Sequence, residues 1–388
     1  MNGKHVRALT DWFAANAREL PWRAAIGVAR DPYAVLVSEA MLQQTQVSRV
    51  VERFPRFMAR FGTVQELADA DDRDVLAMWS GMGYYRRARN LHAAAKMIVE
   101  RFGGRVPRSV DSLRELPGVG RYTAGAIASM AFGEAAPIVD GNVARVLLRV
   151  HGRAVRPDDR ESQGWLWERA EEVSRAGLRA AGAGVANEAM MELGARVCLP
   201  LPATPRCGVC PLAGVCAAHR EGKEMLIPLP KMAAVRRTVY CAAVVVRDAR
   251  GRVLLEQRGE GGMWAGLWQS PTVEREDRPP TRAEAARGVG MKAAELEARG
   301  GFTHTTTHRD VSFVVYAASN LKQASPGLRW RARSRLGELG ISSAQMRVIK
   351  LGMDDAVTGT VAAGPRQRPV RTAAGSTLKP TSPRRARP

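Results

Sequence analysis

The chain is poor in the features that mark secreted and membrane-embedded proteins. Its 388 residues include only five cysteines, which excludes a disulfide scaffold as the basis of the fold. No stretch approaches the ~18 uninterrupted apolar residues of a membrane-spanning helix. The opening MNGKHVRALTDWFAANAREL has no apolar core of signal-peptide type. Together these absences lead us to expect a soluble cytoplasmic protein. Acidic residues are also scarce, 38 against 59 Lys and Arg, which leaves a net charge of +21 and a pI near 10.8. A polyanion is the partner such a balance implies, with nucleic acid ahead of a membrane. Part of the excess lies at the end of the chain, where seven Arg or Lys and no acid follow Asp355.

What is present falls into three regions. Up to residue 222 the pattern is helical with short connections. Asp31-Pro32 opens the nearly all-apolar helix YAVLVSEAMLQQ. Thr45 suits an N-cap for VSRVVERFPRFMARF, which Pro55 should bend or break. Gly81-Met82-Gly83 is a turn before the basic helix YYRRARNLHAAAKMIVERF. LPGVGRYTAGAI reads as a helix end, a glycine turn and a new helix, with Pro117, Gly118 and Gly120 where the turn needs first a fixed and then a free φ. Residues 223–237 form a linker. Residues 238–353 read as a smaller α+β domain, with two strands around an Asp/Gly turn, a helix over TRAEAARGVGMKAAELEAR, and strands at FTHTTTH and DVSFVVYAAS. Residues 354–388 have the composition of a disordered basic tail. There is no internal repeat.

Several constellations could carry chemistry. Cys198, Cys207, Cys210 and Cys216 follow a C-x8-C-x2-C-x5-C pattern. Four thiolates this close in sequence suit an iron–sulfur cluster or a structural zinc, and spacing alone does not choose between them. Glu39 stands among apolar neighbours, where a carboxyl pKa rises and a general acid becomes available near neutrality. An exposed stripe of an amphipathic helix is its other reading. Asp140 comes twenty residues after Gly120 and suits an N-cap for the helix from Val143, where the helix dipole favours its ionised form. A protonated Glu with an ionised Asp is the division of labour that breaks a glycosidic bond. The backbone N–H groups past Gly118 and Gly120 suit one phosphate of a nucleic acid. Tyr84 and Tyr85 precede Arg86, Arg87 and Arg89, so stacking on bases and a place in the core are both open to them. Gln43, Gln44 and Gln46 suit either solvent or base edges.

Five runs, SEAMLQQTQV, GMGYYRRARNL, LPGVGRYTAGAI, PIVDGNVARV and NEAMMELGARVC, occur in one order that resembles the adenine DNA glycosylases (the MutY family) of the endonuclease III superfamily. The resemblance is close over about residues 5–220 and looser beyond, where GGMWAGLWQSP and HTTTHRDV are similar to the family's Nudix-like domain. It implies an all-α helix-hairpin-helix DNA glycosylase domain with an iron–sulfur cluster loop, plus a smaller α+β Nudix-like lesion-recognition domain. It also implies excision, by base flipping, of adenine mispaired with 8-oxoguanine or with guanine in double-stranded DNA.

The implied roles follow residue by residue. Glu39 protonates the adenine, Asp140 stabilises the oxocarbenium sugar, Tyr122 lies close to that cation, and Asn142 helps position water. Arg23 and Glu188 belong to the adenine pocket. Gln44 and Tyr84 enter the duplex, and Thr307 and His308 read the lesion. Cys198, Cys207, Cys210 and Cys216 hold a [4Fe–4S] cluster. Tyr122 stands where bifunctional relatives carry the Lys that forms a Schiff base, so a monofunctional, monomeric enzyme is expected. Four departures stand out. The first cysteine spacing is longer than usual for the family, two extra residues lie between Arg23 and Asp31, Thr306 replaces a usual Phe in the lesion-reading loop, and the paired glutamates of a Nudix hydrolase are absent.

Overall fold

The computed structural model describes residues 1–25, 28, 30–230, 235–319 and 321–354. The expected basic tail therefore lies almost wholly outside the described residues. Among those described, no helix is long and apolar enough to cross a membrane.

The first half is helical, and it is built as two lobes with separate cores. One lobe gathers α2 (Pro32–Leu42), α3 (Val47–Arg60), α4 (Val64–Ala68), α5 (Asp72–Met78), α6 (Arg86–Phe102) and α7 (Val110–Glu115) around Leu36, Phe57, Phe61, Trp79 and Ile98. The other gathers α1 (Gly3–Asn16), α9 (Gly141–Val150), α10 (Arg160–Leu178) and α11 (Ala183–Arg196) around Leu9, Phe13, Leu147, Leu166 and Leu193. Helix α8 (Arg121–Phe132) joins them: Ala124 and Ile127 belong to the first core, Ala126 to the second, and Met130 packs against both. Burying several faces is possible because α8 is made of small and apolar residues almost all round.

Local sequence explains most helix starts. Asp31 caps α2 by accepting from Tyr33 N and Ala34 N, with Pro32 at the favoured first position. Helix α3 runs through Pro55 unbroken, and the expected Thr45 cap needs correction: the N-cap is Gln46 with no side-chain cap, because the Thr45 hydroxyl accepts from Arg87 instead. After α11 the cysteine segment is two short 3-10 turns, Cys207–Val209 and Ala213–Val215, and the brief α12 (Ala217–Arg220). The expected linker is not all linker. Ile227 is fully buried in the second core, and its carbonyl accepts from Arg149 Nε at 2.7 Å.

The second half is a seven-stranded sheet of β1 (Arg237–Arg247), β2 (Val253–Gln257), β3 (Trp268–Gln269), β4 (Thr272–Arg275), β5 (Glu297–Thr305), β6 (Arg309–Ser319) and β7 (Arg329–Arg331). The main path runs β3-β2-β1-β6-β5, with β1 and β6 parallel. Side chains alternate along β1: Val239, Cys241, Ala243 and Val245 pack under α14 (Ser343–Met353), and Ala242, Val244 and Val246 under α13 (Arg282–Gly288). The helix expected to continue to Arg299 stops at Gly288, since Gly290 turns the chain at φ +72° and residues 297–299 already belong to β5.

The halves touch. Tyr85 Oη donates to Ile341 O at 2.7 Å, Arg89 donates to Ala265 O, and Leu267 is buried in the first helical core.

Candidate active site

The lobes place Glu39 on α2, Tyr122 on α8, Asp140 and Asn142 at the start of α9, and Glu188 on α11, all facing the seam. Glu39 is 6% exposed, which settles its two readings in favour of burial. Burial pushes its carboxyl up to about 7; the charges of Asp140 and Glu188 push the same way, while the Tyr122 hydroxyl and Arg30 oppose them. The Tyr122 phenol is held well above its ordinary range, by burial first and by the charges of Glu39 and Asp140 next. Its hydroxyl lies 3.2 Å from Met191 Sδ. Tyr122 is thus the second residue of α8 and lies inward of the hairpin turn.

Asp140 is the N-cap, with Oδ1 accepting from Val143 N at 2.7 Å and Oδ2 from Asn142 Nδ2 at 2.9 Å. Asn142 has both ends of its amide engaged, because its Oδ1 accepts from Arg145 Nη2 at 2.9 Å. It thereby orients the aspartate. Arg145 also donates to Cys198 O at 2.7 Å and to Gly194 O at 2.8 Å. A continuous line of hydrogen bonds therefore runs Cys198–Arg145–Asn142–Asp140. Gly194 makes this approach possible, since a Cβ there would sit 2.5 Å from Asn142 Cβ.

Arg23 and Glu188 meet at 2.9 Å within a largely buried ladder of charges. Glu188 also takes Arg30 at 2.5 Å, and Glu192 takes Arg18 at 2.7 Å and Arg23 at 3.2 Å. Arg23, Arg30 and Glu188 line an open pocket of about 290 Å³ together with Phe13 and Met130.

A second group lies at the mouth of α6. Gln44 and Tyr84 are exposed and hold φ values of +54° and +49°. Tyr84 Oη and Thr307 Oγ1 are 2.8 Å apart, so the β5–β6 hairpin reaches the helical half there. His308 is exposed on the same turn. Thr306 points elsewhere: its hydroxyl donates to Arg309 O and accepts from Arg309 N, closing the hairpin. The other residues of the expected basic face are mostly internal. Tyr85 and Arg87 are buried, and only Arg86 of the three arginines is fully exposed.

At the hairpin of α7 and α8, Gly118 holds φ +78°, and a Cβ there would lie 2.7 Å from Asn90 Cβ. Gly120 differs from expectation. Its φ of −87° is open to any residue, and a Cβ would meet nothing within 4 Å.

The four clustered cysteines are all unpaired and line one cavity with Arg149, His219 and Glu224. Arg149 is 1% exposed and lies with Nη1 3.2 Å from Cys198 Sγ, while its buried Nη2 has no partner. Burial and the neighbouring sulfurs push the Cys210 thiol up to about 11, so thiolates here need a cation among them. Between Cys198 and Cys207 the chain turns at residues 201–203, which do not line the cavity.

Sequence reasoning missed Arg30, Glu192, Arg87, Arg145 and Arg149. For the last two a signal existed. In GNVARVLLRV two arginines stand four apart on an otherwise apolar helix, where a buried cation must find acceptors.

The HhH-GPD superfamily of base excision DNA repair proteins matches residues 37–172, and the NUDIX domain family matches residues 242–351. The adenine DNA glycosylase of Rattus norvegicus is 34% identical over 403 residues, 89% of this chain and 77% of the rat protein. That of Homo sapiens is 34% identical over 404 residues, 89% of this chain and 73% of the human one. Among solved structures, a thermostable thymine-DNA glycosylase superimposes with a TM-score of 0.48 at 28% identity, covering 56% of this chain and 95% of that one.

Proposed function

Since the chain belongs to the adenine DNA glycosylase family, we propose that it hydrolyses the N-glycosidic bond of adenine mispaired with 8-oxoguanine, and secondarily with guanine, in double-stranded DNA. The observation that carries this reading is Glu39, buried and held near a pKa of about 7, beside Asp140 with its carboxylate fixed by Val143 N and Asn142. Glu39 delivers its proton to N7 of the extruded base. The bond from C1′ to N9 then breaks with its electron pair passing to the base, and the Asp140 carboxylate offsets the positive charge left on the sugar. Water adds at C1′ and gives up its proton to the Glu39 carboxylate, which restores the acid. Tyr122 supplies a phenol and no amine, so no Schiff base forms and the sugar stays in the strand as an abasic site. Glu188 and Arg30, whose charges act on Glu39, bound the adenine site together with Arg23. The amides at Gly118 and Gly120 hold one phosphate, and the bare Gly120 leaves room for it. Thr307 and His308 meet the opposite base.

The cysteine cavity fits a [4Fe–4S] cluster. Four unpaired thiols surround it, and the partnerless Arg149 Nη2 is available to the charge or sulfide of the group. Held by Cys198, Cys207, Cys210 and Cys216, such a cluster would supply a covalent staple for a segment that otherwise has only short turns.

The reading is tested by incubating the protein with duplexes carrying each mispair and treating with alkali. Adenine release from the 8-oxoguanine pair, faster than from the guanine pair, is expected; release from neither would sink it.

A further inference from the structure

Arg87 is 8% exposed and lies in the first turn of α6, yet it forms none of the ion pairs seen among the described residues. Its guanidinium donates to neutral acceptors through Nη1 and Nη2, while its buried Nε has no hydrogen-bond partner. Nη1 donates to Ala40 O at 2.9 Å and Met41 O at 2.7 Å, the last turn of the helix that carries Glu39. Nη2 donates to Thr45 Oγ1 at 2.9 Å, Gly83 O at 3.2 Å and Met82 O at 3.3 Å. The Tyr84 and Trp79 rings lie 5.6 and 5.3 Å from its Cζ.

A buried cation without a carboxylate is expensive. What this one joins is specific. Three non-glycine residues among those described hold a left-handed φ, and two of them, Gln44 and Tyr84, stand on the two turns that Arg87 binds. Such conformations persist only where surrounding contacts over-determine them. Gln44 precedes Thr45, and Tyr84 follows Gly83. One rigid fork therefore spans both turns and the end of α2.

We propose that Arg87 is the positioning residue that holds Gln44 and Tyr84 at a fixed separation and in register with Glu39, so that wedging the duplex open delivers the extruded base to the acid. This rests on the reading above that Gln44 and Tyr84 enter the duplex. Lysine cannot replace the fork, since a single ammonium with three N–H groups cannot serve five acceptors spread over both turns and the end of α2.

The test compares two substrates, using the full chain. In one, adenine is paired with 8-oxoguanine; in the other, the same adenine lies opposite an abasic site and needs little wedging. Arg87→Lys is expected to slow single-turnover release by about tenfold or more from the paired duplex and by less than about threefold from the unpaired adenine. Thr45→Val removes one acceptor at a half-buried surface position and is expected to show the same pattern more weakly. Equal losses on both substrates, or no loss on either, would overturn the proposal. If Arg87→Lys fails to fold, Thr45→Val decides by the same criterion. With 2-aminopurine at the target position, the fluorescence rise on binding reads extrusion without chemistry. It should be large for the wild type and reduced in both variants, and an undiminished rise overturns the proposal. Extrusion by the wild type without adenine release would instead sink the catalytic reading alone.

Discussion

Replacing Glu39 by Gln should stabilise the protein while abolishing base release. The buried carboxyl is raised from 4.5 to about 7. A folded pKa above the unfolded one means that the native state binds more protons between those values, so stability falls as pH rises through the window. The loss is complete above about pH 7. Roughly two and a half units at ~1.4 kcal/mol each give about 3 kcal/mol at pH 8, and under about 1 kcal/mol at pH 5. Gln keeps the shape and a hydrogen bond for Tyr122 but has no charge to desolvate. For a domain of this size the gain corresponds to a melting temperature higher by about 6–12 °C at pH 8. Thermal melts of both proteins at several pH values, alongside single-turnover base release, would check it. A melting difference that is the same at pH 5 and pH 8, or a variant less stable at pH 8, would refute the burial argument. Release that survives the substitution would refute the assignment of the acid.

Base release should fall about tenfold per pH unit above about 7, as the Glu39 proton is lost, and single-turnover rates across pH would show a flat or rising limb if another group served as acid. Arg145→Met should slow base release by about tenfold or more through a loosened Asn142 and Asp140, and it should also lower the iron and sulfide bound per chain, since the same guanidinium holds Cys198 O. DNA affinity should weaken steeply with salt, because each phosphate contact adds about −0.9 to the slope of log affinity against log salt. A flat response in a titration would assign the basic surface to another partner.

The features legible in the sequence were those fixed by neighbours in the chain. Asp31 and Asp140 cap the helices that begin just after them, and the alternation along Val239–Val246 puts successive side chains on opposite faces of the sheet. Glu39 was legible as a carboxylate among apolar residues, but whether that face was covered depended on α8 and on Tyr122, some 80 residues away. Thr45 shows the limit in the other direction. As a local cap it is a sound reading, yet Arg87 offers its hydroxyl a charged donor, and a charge-assisted bond outcompetes a capping bond. The Arg–Glu ladder of Arg23, Arg30 and Glu188 joins positions more than 150 residues apart, so no local pattern announces it.

The internal arginines share one physical task. Each α-helix ends with carbonyls that have no partner inside it, and a domain made of many short helices has many such ends to bury. Arg87 satisfies Ala40 and Met41 at the end of α2, Arg145 satisfies Gly194 and Cys198 around the end of α11, and Arg149 reaches Leu199 and Ile227 on either side of the cysteine turns. None of the three has an ion-pair partner among the contacts described. Each therefore brings a full positive charge inside for the geometry of its fork, which ties segments remote in sequence. The excess of +21 is for this reason an overcount of the charge facing DNA. The slope of affinity against salt should report the exposed cations alone, while the buried ones govern where Gln44, Tyr84 and Asp140 stand.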